Sequence, residues 1–292
     1  MGYPNSVSFL IEMQPNRDED ELAARRNSFK KRILVVEPHP DDGAIQSGGT
    51  IARMVLEGHE ACFLTVTDGE RGTMDRSIKT EQQLREMTRK EALNATGVLG
   101  VKKQIFLGYP NHDTMPHLEK ELRMKITEVI RQVKPHIVMT YDPYSLYEPN
   151  PDHRTVSWAT YDAVSFSHYP LEYPDQLARG LETHIVDEFW LWNSPQPDTT
   201  VDITATIWTK VKAAACYTSQ IGSMLEEIRQ RLRSAGFASP MLEQMPFEEL
   251  TMRVFSPTIE NGRFVEKFKI IRPFVSERVP HLMARGLIEP LK

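Results

Sequence analysis

The sequence predicts an α/β protein: a Rossmann-like three-layer fold with a mostly parallel sheet and a C-terminal helical elaboration. Three observations predict it. Short apolar runs such as ILVVE, CFLTVT and IVMTY alternate with stretches of helical periodicity, the pattern of βαβ units whose sheet is covered on both faces. The chain has 292 residues, 40% hydrophobic and 26% charged, which is enough ordinary globular sequence to bury one large core. No repeat or low-complexity linker divides it. One domain over 31–220 is therefore expected, with an N-terminal extension over 1–30 and a mostly helical elaboration of the same domain over 221–292.

The elements follow in order. Residues 1–30 read as an extended tail that runs into a charged helical segment over 18–31. Strands are expected at 33–37, 61–67, 104–107 and 136–141, separated by helical patterns at 48–57, 80–99 and 118–133, the second ended by Gly100. Right-handed crossovers then bring the C-terminal end of every strand to one edge, where open α/β sheets bind ligands. Beyond Asp142, PYSLYEPNPDHR is a proline- and tyrosine-rich loop leading into a helix over 154–165. HIVDEFWLWN reads as a strand, TTVDIT as a shorter one, and 205–219 as a helix. Residues 221–253 look helical throughout, and the last 30 residues are less regular.

Charge and composition exclude several classes. A net charge of −5 provides no basic field for nucleic acid or an anionic membrane. No apolar run reaches the roughly 18 residues of a spanning helix, and the N-terminus lacks the basic-then-apolar order of a signal peptide. MGYPNS fits the loose myristoylation pattern, with no polybasic partner nearby. Cys62 and Cys216 are the two cysteines, too few for a disulfide framework and suited to a reducing compartment. A cytoplasmic protein is expected, with the oligomeric state open and a homo-oligomer among the options.

PHPDDGAIQSGGT follows the first strand and is where chemistry is expected. His39, Asp41 and Asp42 sit just past that strand, and Asp152 and His153 just past the loop after the fourth, so both groups arrive at one sheet edge. Two imidazoles and a carboxylate that converge can hold a divalent metal with a position open for water. Pro40, Pro149 and Pro151 restrict the backbone around them. Taken singly, each group has an ordinary alternative: His39 a satisfied loop histidine, Asp41 and Asp42 caps of the next helix, Asp152 the cap of the helix at 154. Taken together, those readings leave histidines at both strand ends unexplained. The spacing His39-x-Asp41 with a distant histidine also matches the facial triad of non-haem iron oxygenases. Those enzymes use β-barrels, and no 2-oxoacid-binding arginine is identifiable here.

PHPDD after a strand, SGGTIARMVLEGHE, TVTDGERGT, a helix ending TGVLGVKK, and PDHR before a helix together resemble the PIG-L/LmbE family of metal-dependent N-deacetylases. The likeness runs from about residue 33 to 220, and EPHPDD with PDHR is most similar to the diacetylchitobiose deacetylase branch. The resemblance implies zinc held by His39, Asp42 and His153, with other divalent metals able to use the same ligands. It implies Asp41 as general base, Asn150 and Asp152 as further catalytic positions, and Asp113 and Arg89 as contacts to a small amino-sugar substrate. Zinc would lower the pKa of a bound water, and a carboxylate held off the metal would take its proton. Two adjacent aspartates would then have different tasks.

Two positions depart from the family pattern. Asn150 stands where a histidine usually helps stabilise the oxyanion or protonate the leaving group. An amide can still donate to an oxyanion, a contribution of about 3 kcal/mol elsewhere, but cannot transfer a proton at neutral pH, so Asp41 would shuttle it both ways. Tyr217 also replaces an expected histidine. The implied activity is removal of an N-acetyl group. The alternatives are an amidase on a sugar conjugate and a metal- and sugar-binding homologue without turnover. His112 reads as a solvent-facing loop histidine, Asp68 as a turn brace, and Gly48 and Gly49 as space for close helix packing. Tyr141, Tyr144 and Tyr147 offer a sugar-stacking wall, whereas Trp190 and Trp192, on a predicted strand, read as core.

Overall fold

Ile33, Leu34, Val35 and Val36 are all fully buried, because strand β1 (Arg32–Glu37) lies in the interior of an eight-stranded sheet. A computed structural model describes residues 30–113, 118–254 and 258–273. The extension expected over 1–30, Lys30 apart, lies outside the described residues, as do residues 274–292. Strands β2 (Glu60–Thr67), β3 (Lys103–Tyr109), β4 (Ile137–Tyr141) and β5 (Glu188–Trp192) join β1 in the order β3-β2-β1-β4-β5, every pair parallel. Side chains along β1 alternate between two cores, as the pleat demands. Ile33 and Val35 pack with Ala44, Ile51 and Ala95 on one face; Leu34 and Val36 pack with Leu122, Ile126 and Val156 on the other. The first face is covered by α1 (Asp42–Leu56) and α2 (Glu81–Val98), the second by α3 (Glu119–Val133) and α4 (Pro151–Phe166).

After α4 come a short helix α5 (Pro174–Ala178), β5, and strand β6 (Thr199–Asp202). The helix expected over 205–219 is instead a 3₁₀ turn at Thr204–Thr206, α6 (Ile207–Ala215) and the start of α7 (Thr218–Ser234), with a break at Cys216 and Tyr217. The helical stretch expected over 221–253 divides likewise into α7, α8 (Pro240–Gln244) and α9 (Phe247–Val254). Beyond α9 come two strands, β7 (Thr258–Glu260) and β8 (Arg263–Ile271), the second inside the ending that reads as irregular. β8 runs antiparallel to β5, β6 and β7 and so extends the main sheet. Charges inside RFVEKFKII hide its period. Glu266 is nevertheless buried, where Lys210 Nζ approaches to 2.6 Å and the N–H groups of Gly49 and Thr50 donate to its carboxylate.

Two helix starts differ from expectation, and both matter for the site. α1 begins at Asp42 rather than near residue 48. The Asp42 carboxylate accepts from the His39 N–H at 2.9 Å, which closes the turn, and its negative charge suits a helix N-terminus. Gly43 is obligatory there: a Cβ would stand 2.6 Å from Phe63 Cε1 and 2.8 Å from Glu37 Oε2. Gly49 serves the close packing expected of it, since a Cβ would meet Ile203 Cδ1 at 2.6 Å. α4 begins at Pro151, so Asp152 and His153 belong to its first turn and not to the preceding loop. Proline suits that position because its missing N–H has no intrahelical partner anyway. Asn150 is the cap, its Oδ1 accepting from the Asp152 N–H at 2.9 Å.

Candidate active site

β1 is flanked by β2 on one side and β4 on the other, so successive connections leave it in opposite directions. A crevice opens at such a switch point, beyond the carboxyl ends of the two strands. His39, Asp41 and Asp42 enter it from the end of β1, and Asn150 and His153 from the start of α4. The cleft has a volume of about 380 Å³.

His39, Asp42 and His153 each offer a ligand atom within 4.8 Å of the others. His39 Nδ1 lies 3.2 Å from Asp42 Oδ2 and 3.2 Å from His153 Nε2. The other ring nitrogen of His39 is bonded to Asp152 Oδ2 at 2.9 Å. Burial alone drives His39 toward neutrality, but hydrogen bonds to Asp152 and Asp42, and the charges of Asp42 and Asp41, outweigh it and raise its pKa to about 10. Asp42 is pulled the opposite way. Burial raises its pKa, yet the charges and hydrogen bonds of His153 and His39 bring it below the ordinary value. These surroundings favour positive charge between the three residues, and two imidazole nitrogens with one carboxylate oxygen suit a divalent cation. His153 is set from behind: Tyr141 stacks on its ring at 4.2 Å and donates its hydroxyl proton to Asp42 Oδ1 at 2.9 Å. Glu148 Oε1 lies 3.2 Å from His153 Nδ1, without hydrogen-bond alignment.

Asp41 lines the same cleft yet stands outside the triad. It occupies the cap position of α1 but makes no side-chain cap hydrogen bond, so the simple capping reading does not describe it. Burial and the neighbouring Asp42 charge raise its pKa to about 7. A buried carboxylate poised there is suited to take a proton near neutrality. Beneath it, fully buried Glu37 accepts from Thr65 Oγ1 at 2.7 Å and from the Gly43 N–H at 2.9 Å, tying β1, β2 and the start of α1 together.

The remaining expected residues are placed as follows. Asp152 is completely buried behind His39 and does not reach the cleft wall; its carboxylate orients the His39 ring instead. Asn150 lines the cleft, with Oδ1 committed to the α4 cap. Arg89 turns away: it grips Asp68 at 2.8 and 2.9 Å and lies 5.1 Å over the Phe106 ring. Asp113 pairs with Arg71 at 2.8 Å and is not on the cleft wall. Tyr217 is buried, its hydroxyl without a hydrogen-bond partner among the described residues. Tyr144 packs edge-on against Trp158, Tyr147 is 96% exposed, and Trp190 and Trp192 are core. Sequence reasoning passed over Ile45, Gln46, Asn111, Gln220 and Met224, all on the wall, and set aside His112, which also lines it. Ile45 and Gln46 were legible in principle, lying one turn beyond Asp41 and Asp42 on the same helix face. Of the two α7 residues, Gln220 closes the region of family likeness and Met224 carried no local signal.

Donors for a metal beside a carboxylate kept free of them define a class: hydrolases that use a metal-activated water. Similarity to known proteins narrows it. Residues 34–164 match the family model described as PIG-L, GlcNAc-PI de-N-acetylase, and diacetylchitobiose deacetylase of Thermococcus kodakarensis is 36% identical over 191 residues, 65% of this chain and 70% of that protein. The chain belongs to the PIG-L family of de-N-acetylases. The N,N'-diacetylchitobiose deacetylase structure from Pyrococcus horikoshii superposes with a TM-score of 0.70 at 27% identity, covering 94% of this chain and 96% of that one. A mycothiol S-conjugate amidase of Streptomyces coelicolor is 30% identical over 42% of this chain, which spans 47% of that relative's length.

Proposed function

We propose that this protein is a zinc-dependent N-deacetylase acting on a small N-acetylglucosamine-type sugar, with a diacetylated chitobiose-like disaccharide the leading substrate. The observation that carries the reading is the convergence of His39, Asp42 and His153 with Asp41 held outside the set. A divalent ion bound there supplies Lewis-acid polarisation of the amide carbonyl and lowers the pKa of water. His39, Asp42 and His153 would hold it, with Asp152 fixing the His39 ring. Asp41 takes a proton from the attacking water. Asn150, its Oδ1 already engaged, has Nδ2 left to donate to the carbonyl oxygen as negative charge develops there. Greater coverage and identity to the chitobiose deacetylase support deacetylation over the amidase reading. Among the described residues no helix is long and apolar enough to cross a membrane; the two free cysteines support a cytoplasmic location.

The test is acetate release from N-acetylglucosamine and diacetylchitobiose by zinc-loaded protein. Asp41→Asn is expected to cut the rate by about 10²–10⁴-fold while zinc stays bound. A wild type that binds zinc and releases no acetate from either sugar would sink the proposal.

A further inference from the structure

Cleavage of an amide requires a proton on the departing nitrogen, since an amine anion is too poor a leaving group at neutral pH. Asn150 cannot supply one. Asp41 can return the proton it takes from the attacking water, and a second donor on the cleft wall would relieve it of that step. The other side chains on the cleft wall narrow the choice. Gln46, Asn111 and Gln220 are amides, the Tyr141 hydroxyl is committed to Asp42, and His39 and His153 belong to the metal set. His112 remains, and imidazole is the side chain that exchanges a proton most readily near neutrality.

Its setting is built. His112 has a left-handed backbone with φ of 66°, a conformation uncommon for residues other than glycine and one whose presence at a site points to a purpose. Its N–H donates to Asp152 Oδ2 at 2.7 Å, the same oxygen that holds His39 Nε2 at 2.9 Å. One buried carboxylate oxygen therefore fixes the metal-ligand ring and the His112 backbone relative to each other. Buried Asn111, whose Oδ1 accepts from the Arg71 N–H at 3.0 Å, places Nδ2 3.3 Å from His112 Nε2, a contact that the neutral ring accepts and the imidazolium releases.

From this arrangement we infer that His112 is the proton donor to the leaving amine, the task that Asn150 cannot perform. The inference rests on the deacetylase reading. Water adds its oxygen to the carbonyl carbon and loses one proton to Asp41. The C–N bond then breaks, its electron pair stays on nitrogen, and the imidazolium of His112 gives that nitrogen a proton. The sugar leaves as a free amine and the acyl group as acetic acid. Solvent carries the proton from Asp41 back to His112, so each turnover consumes one water and nothing else.

The experiment compares wild type, His112→Asn, and His112→Asn with Asn150→His, all zinc-loaded, on diacetylchitobiose and on p-nitrophenyl acetate. Asparagine tolerates the left-handed backbone, so the variant removes the proton donor with little strain; thermal melts and zinc content check that fold and site persist. The ester leaves as a stable phenolate and needs no proton. His112→Asn is expected to lower the amide rate by about 10²–10⁴-fold and the amide-to-ester ratio with it, and Asn150→His in the same chain to restore part of that ratio. Equal loss on both substrates, or no loss on the amide, overturns the inference. A wild type that releases no acetate overturns the deacetylase reading, and this inference falls with it.

Discussion

Asp152 and Asp42 are both acidic residues at the first turn of a helix, and the sequence alone does not separate their roles. Position does. Asp42 faces His153 and Tyr141 in the cleft, whereas Asp152 is sealed behind His39. A carboxylate on the outer nitrogen of a metal-ligating imidazole fixes its orientation and basicity. Asp152→Asn is accordingly expected to weaken zinc binding by about 10–100-fold, measured by competition with a chromophoric chelator; undiminished affinity would refute the orienting role. PHPDD and PDHR made the candidate donors legible because each motif is local, and it was the family resemblance that assigned Asp42 and Asp41 different tasks. Arg89 was less legible, because a guanidinium reaches far from its backbone and only packing shows that it pairs with Asp68.

At the scale of elements, α7 reaches the cleft through Gln220 and Met224, yet nothing in its own sequence caps its start: Tyr217 makes no side-chain cap. Glu91 on α2 does so from across the fold. Its carboxylate accepts from Thr218 Oγ1 at 2.7 Å, Ser219 N–H at 2.9 Å and Ser219 Oγ at 2.6 Å. Glu91→Ala strands those donors, at about 1–3 kcal/mol for an unmet buried group, and is expected to raise KM more than it lowers kcat, with Glu91→Gln milder. A lowered melting temperature with unchanged KM would make the clamp purely structural. At the opposite edge of the sheet, the N–H of Arg32 donates to His136 Nδ1 at 2.9 Å and that of Lys31 to His59 Nδ1 at 3.4 Å. Burial, aided by the charges of Arg32 at His136 and Lys31 at His59, holds both imidazoles below their ordinary pKa. Because the folded values lie below the unfolded value of about 6.5, this stability is present above that pH and is lost as pH falls through the folded values. Melting temperature is expected to drop between about pH 7 and 5, and less steeply in His136→Asn, which keeps an acceptor but cannot titrate. An identical slope in the variant would rule out the strand-edge histidine as a source.

Across the whole molecule, the triad joins residues more than a hundred positions apart, so an ion bound there ties β1 to α4 and stabilises the fold by mass action. At a hundredfold excess over Kd that is about 2.7 kcal/mol, or a rise in Tm of about 4–5 °C for a chain of this size. Chelation is expected to reverse the rise and His39→Ala to abolish it; an unaltered Tm on adding zinc would argue against a site in the folded state. The sequence by itself determined the alternation of strands and helices, the sheet edge that carries the site, and the donors in PHPDD and PDHR. All of these are short-range: periodicity, strand ends and residue spacing act within a few positions. Only the tertiary structure decided that β8 completes the sheet, that α7 walls the cleft, that Asp152 stands behind His39, and that exposed His112 borders the cleft. Each depends on contacts between residues distant in the chain, where burial and hydrogen bonding override local propensity.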